Sequence, residues 1–277
     1  MPTKHVLPLC IGTLSLTALL WLTNVLIGIE TAQGTYGWSL LSSLLTCTVI
    51  FLLIKHSTLP MKQSILFVFA VYFIIGHLNI LVEAYIFDVS SRTETLRELA
   101  RGFMVAAIFA PLAVYLYQEN RPKQSLTFTP RSSTSWIWRI AVADILYFVL
   151  YGLAGFILVT VYPKLLDFYA DKIPPMELII KTQLFLRGFL FIAVAVAILK
   201  FIDLSRFNRA CLVGLTFAIF GGVAPLIPPN ELMPGFVRFG HLFEVGVSNF
   251  VFGVLLGYLL GQHRIERHEA VQAVGPG

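Results

Sequence analysis

The chain has 277 residues, of which 57% are hydrophobic and 13% charged, and a mean hydropathy of +0.80. Soluble domains carry roughly a quarter charged residues, so this composition excludes a water-soluble globular protein and points to a surface facing lipid. The formal charge of +5 is a modest excess of 20 Lys and Arg over 15 Asp and Glu. Membrane topology accounts for it without a nucleic-acid partner, which leaves membrane lipids as the expected surroundings.

A helix needs about 20 apolar residues to cross a hydrocarbon core of roughly 30 Å, and only a helix or a closed barrel satisfies its backbone there. In chain order the predicted spans cover residues 6–29, 36–54, 64–87, 99–117, 136–162, 178–201, 210–227 and 236–261. Runs such as FLFIAVAVAIL at 189–199 are apolar on every side, whereas barrel strands alternate. The first span is too long for the apolar part of a signal peptide, and no small-x-small cleavage site follows it, so it is expected to remain as an anchor. The expected fold is an all-α, polytopic transmembrane helical bundle of about eight spans. Residues 1–261 form one transmembrane domain and 262–277 a short polar tail.

Positively charged loops are retained in the cytoplasm. One set of alternate loops carries twelve Lys and Arg and the other seven, with Arg187 inside a span. This asymmetry and the even span number predict that both termini are cytoplasmic. No Asn-x-Ser/Thr sequon occurs, consistent with a bacterial plasma (inner) membrane. Cys10, Cys47 and Cys211 fall within spans without CxxC spacing and read as small apolar fillers.

The longest polar connection, residues 118–135, is basic and reads as a solvated loop against headgroups, with Trp136 and Trp138 anchoring the next span. Gly253, Gly257 and Gly261 in the last span form a GxxxGxxxG ridge for close helix packing, or for self-association. Gly221, Gly222 and Ala224 suggest the same for the seventh span, which ends in a turn stiffened by Pro225, Pro228, Pro229 and Pro234.

Ionisable groups inside a span usually face the bundle interior and have partners. The third span carries His77, Asn79 and Glu83, the sixth Gln183 and Arg187, and the eighth His241, Glu244, Ser248 and Asn249. At about 1.5 Å per residue, these positions lie in the external half of the membrane. They are read as one polar site: His77, Glu83, Arg187, His241 and Glu244 as catalytic groups, with Asn79, Gln183, Ser248 and Asn249 as substrate-binding groups. His241, Glu244 and Ser248 share a helical face, as do Asn79 and Glu83, whereas His77 is about 120° from Glu83. Asp144 reads as locally paired with Arg139. The charges from Asp88 to Arg101 read as a solvated helix start from which Arg101 can lean inward.

Two imidazoles and two carboxylates suit a divalent metal, held by His77, Glu83, His241 and Glu244, or metal-free acid–base chemistry, with Arg187 holding a phosphate or carboxylate. The expected activity is that of a membrane-embedded enzyme acting on a lipid or amphipathic substrate. The alternatives are a small-solute or proton-coupled transporter, a bis-His haem protein using His77 and His241, and a non-catalytic partner subunit.

Overall fold

The computed structural model describes residues 3–29, 35–119, 128–229 and 233–262. Much of the 118–135 connection, the tail beyond Gln262 and residues 230–232 of the proline-rich turn lie outside the described residues. The helices are α1 (Thr3–Ile27), α2 (Tyr36–Lys55), α3 (Met61–Ile86), α4 (Arg92–Tyr117), α5 (Ser133–Val161), the short α6 (Lys164–Tyr169), α7 (Met176–Phe201), α8 (Arg206–Leu226) and α9 (Gly235–Leu260). All but α6 are long and apolar enough to cross a membrane. The protein is an all-α, multi-span helical membrane protein.

Local chemistry sets where these helices begin. Ser91 and Glu94 form a reciprocal capping box at α4, with Ser91 N donating to Glu94 Oε2 (2.8 Å) and Glu94 N to Ser91 Oγ (3.2 Å). Ser132 and Ser205 cap α5 and α8 through their hydroxyls. Pro60, Pro175 and Pro234 precede α3, α7 and α9, where a missing N–H costs no helical hydrogen bond.

The core is aromatic and aliphatic, built around Phe109, Phe191, Phe217, Phe220 and Phe252, all fully buried. Large side chains such as Phe185, Phe243, Ile137 and Val161 point outward. In water such a surface would aggregate, so it is the surface that meets lipid tails. The closest pair is α8 with α9. A Cβ on Gly253 would strike the backbone of Val213 and Gly214, and one on Gly257 the backbone of Ala210. These two ridge positions therefore pack within the chain. Gly261 lies beyond them, at the C-cap of α9.

The α6 end of the bundle holds the termini Ile27, Ile86, Val161 and Leu226. At the opposite end, Thr58 N donates to Phe201 O (2.9 Å) and Asp203 N to His56 O (2.8 Å), joining the α2–α3 and α7–α8 turns.

Candidate functional site

Three spans each contain one π-helical turn: Ile74–Leu78 in α3, Gln183–Arg187 in α7 and Ile219–Val223 in α8. Such a turn inserts a residue, shifts the phase of everything after it, and recurs at functional sites. The α3 turn packs against both the α8 turn and α7. Arg187 closes the α7 turn and points into the bundle, where it is almost fully buried.

Its guanidinium is held from three sides. Nε donates to Asn79 Oδ1 (2.8 Å), Nη1 to Gln183 Oε1 (3.1 Å), and Nη2 pairs with Glu83 Oε2 (2.8 Å). Tyr147 donates to the same Gln183 oxygen (3.1 Å), and Arg187 lies 5.9 Å from the centre of the Tyr151 ring. The pairing offsets the cost of burying a guanidinium. Asn79 Nδ2 and Gln183 Nε2 remain buried without a hydrogen-bond partner. Two amide donors therefore stand unspent beside a positive charge, an arrangement suited to an oxyanion.

A second group adjoins the first. His241 Nδ1 lies 3.0 Å from Glu244 Oε2 one helical turn on, and His241 Nε2 lies 2.8 Å from the Tyr169 hydroxyl. An ionised carboxylate only accepts, so in the neutral ring Nδ1 carries the proton and Nε2 accepts from Tyr169. Tyr169 reaches this position because α6 docks on α9 where a glycine leaves room: a Cβ on Gly240 would meet Leu165 of α6 at 3.3 Å. Burial, and then the charges of Glu83 and Glu244, push the Tyr169 phenol above its ordinary value of 10.0. Tyr169 thus lies in the field of both groups and stays protonated at neutral pH, as a donor rather than a phenolate nucleophile.

The expectation of one site needs correction at His77. Its ring faces α4, packing where any Gly102 side chain would sit and edge-on to Tyr72 (5.0 Å). It lines a separate chamber of about 710 Å³ with Trp21, Asn24, Thr46, Tyr72 and Arg101. Its Nε2 is buried without a hydrogen-bond partner. Arg101 does lean inward, donating from Nη1 to Asn24 (2.9 Å) and from Nε to Glu98 (2.8 Å). Helix α3 therefore separates two polar regions, Asn79 and Glu83 facing one and His77 the other.

Among the described residues, no three His, Cys, Asp or Glu side chains gather as metal ligands. His77 points away, Glu83 is engaged by Arg187, and both His241 nitrogens are hydrogen-bonded. The four-ligand metal set does not fit this geometry. The His77 and His241 haem pair fits no better, since both His241 nitrogens are hydrogen-bonded and His77 faces the chamber on the other side of α3. Asn249 donates to the carbonyls of Phe217 and Gly221 (3.4 Å each), tying α9 to the α8 π turn, and Ser248 bonds within its own helix. Neither shares a hydrogen bond with Arg187.

Asp144 does not pair with Arg139, which turns instead to Ser135 and the Leu259 carbonyl. It packs against Gly188 of α7, with Oδ1 buried and unpartnered. Asp144, Tyr147 and Tyr151 recur at spacings of three and four along α5, a polar stripe that would have marked this side of the site from the sequence. No protein-family model, curated protein or solved structure matches the chain.

Proposed function

We propose that the protein is a membrane-embedded acid–base enzyme acting on a lipid or amphipathic substrate. The observation that carries this reading is the hydrogen-bonded chain Glu244–His241–Tyr169 beside the Arg187–Glu83 pair. Glu244 orients the imidazole and stabilises its protonated form. His241 exchanges a proton with Tyr169, which delivers it to the substrate. Arg187, with the spare donors of Asn79 and Gln183, receives the oxygen on which negative charge develops. In this reading residues 1–261 are one transmembrane domain and 262–277 a tail, both termini are cytoplasmic, and the α6 end faces outward from a bacterial plasma membrane. The substrate then arrives from the outer leaflet.

The test is complementation of a deletion phenotype by His241→Ala, Glu244→Gln and Tyr169→Phe, with membrane levels of each variant measured alongside. All three are expected to accumulate and fail to complement. Full complementation by all three removes the reading.

The 710 Å³ chamber favours a second reading, a small-solute transporter, because it places His77, Glu94, Glu98 and Arg101 around a cavity on the other face of α3. Solute flux in proteoliposomes, lost on His77→Ala, decides for it.

A further inference from the structure

At the end of the bundle opposite α6, four arginines converge on the C-terminus of α9. Arg131 donates from Nη1 to Leu260 O (2.9 Å) and from Nη2 to Gly261 O (3.0 Å). Arg139 donates to Leu259 O and Arg206 to Tyr258 O (3.0 Å), while Arg209 donates to Gln262 O (3.4 Å) and Leu199 O (3.1 Å). These bonds satisfy carbonyls that a helix end leaves without partners. They do not balance the charge. A helix C-terminus offers about half a negative charge, against the three guanidiniums of Arg131, Arg139 and Arg206.

Arg131, Arg139 and Arg206 bond to carbonyls and a serine hydroxyl, lie over aromatic rings, and meet no carboxylate among the described residues. Burial, then the charges of Arg139 and Arg206, hold the Arg131 guanidinium below its ordinary value, as expected for crowded like charges. An independent observation gives the depth of the cluster. Arg131 lies over the Trp136 ring (4.8 Å), Arg139 over Trp138 (4.5 Å) and Arg206 over Tyr258 (5.2 Å), and Trp138 and Tyr258 are exposed. Trp and Tyr at helix ends mark the headgroup layer.

We propose that this arginine rim is a binding site for the phosphodiester of an anionic phospholipid, of the phosphatidylglycerol type. The planar guanidiniums of Arg131, Arg139 and Arg206 still hold N–H donors beyond those bonds, which match phosphate oxygens, and basic clusters between spanning helices at this depth recognise such headgroups. The zwitterionic headgroup of phosphatidylcholine carries its own cation and gains much less. The site is independent of the acid–base chemistry at the other end of the bundle.

The test uses the full chain in nanodiscs of phosphatidylcholine containing a minority of phosphatidylglycerol, with retained lipids counted by native mass spectrometry. Phosphatidylglycerol is expected to be retained preferentially. At about 1 kcal/mol per charge near the surface, Arg206→Gln lowers that preference about fivefold and Arg131→Gln/Arg206→Gln about thirtyfold. The Arg131→Lys/Arg206→Lys chain keeps most of the preference, although lysine cannot reproduce the paired carbonyl bonds. Equal retention of the two lipids overturns the proposal, as does an unchanged preference in the Gln variants, or a loss in the Lys chain as complete as in the Gln double. Arg206 is exposed, so its single variant carries the test if the double does not fold.

Discussion

Arg187 and Glu83 can be separated energetically because their exposures differ: 5% for the arginine side chain and 31% for the glutamate. Glu83→Gln leaves a guanidinium buried with only neutral partners. Removing one member of a buried pair costs about 3–5 kcal/mol, and the partial exposure of Glu83 places this case at the lower end, about 3 kcal/mol. Arg187→Met leaves a carboxylate that already reaches the solvent-accessible surface, at a cost of about 1–2 kcal/mol. The double variant buries no unpaired charge and should lie within about 1 kcal/mol of the parent, a coupling of about 3–5 kcal/mol. The assay is thermal unfolding of the purified chain, followed by tryptophan fluorescence at one fixed scan rate. At roughly 2–4 °C per kcal/mol for a chain near this size, Glu83→Gln should melt roughly 6–12 °C early, with the double variant close to the parent. A double variant that recovers stability but fails to complement separates the chemical role of the pair from its structural one. Additive losses, or a Glu83→Gln chain melting within about 2 °C of the parent, refute the reasoning that Glu83 is what neutralises Arg187.

Tyr169→Phe removes one hydrogen bond to His241, at a cost of about 1 kcal/mol in thermal unfolding. It should also change the alkaline limb of stability. The folded-state value of the Tyr169 phenol is raised, so its contribution is complete below about pH 10 and is lost as pH climbs from there toward the folded value. The Phe variant should lose that part of the alkaline decline in pH-dependent melts, and an unaltered decline refutes the assignment. Gly257→Ala places a methyl against the Ala210 backbone and should destabilise the chain by about 1–3 kcal/mol, read as a lower melting temperature, whereas a neutral result contradicts the α8–α9 contact. Gly102→Ala drives a methyl into the His77 ring and should cost a similar amount, with a changed His77 environment visible by nuclear magnetic resonance.

The spans were legible because hydropathy and length act along one coordinate, the depth in the membrane, and that coordinate is written residue by residue in the chain. The same coordinate grouped His77 with Glu83, His241 and Arg187, since all lie in one half. A site also needs azimuth, which depends on helix neighbours and on phase. Ideal helical phase already set His77 apart from Glu83, and the π turn at Ile74–Leu78 contains His77 and precedes Glu83, adding a rotation that no 3.6-residue count contains. Helix α6 escaped for a different reason: six residues are too few for a periodic signal, so the donor to His241 was hidden in what reads as a loop. Asp144 shows the cost of judging a polar residue by its nearest opposite charge in sequence. Its neighbour Arg139 is drawn to the end of α9, where unpaired carbonyls are plentiful, and Asp144 is left facing α7. Helix α5 is the least buried of the spans, with 11% of its most apolar window inside the bundle, against 44% for α3. A helix with so narrow a buried face has few positions on which polar groups can be sheltered from lipid. Asp144 and Tyr147 occupy that face together, next to Arg187, which is why α5 belongs to the site although its composition is that of a lipid-facing helix.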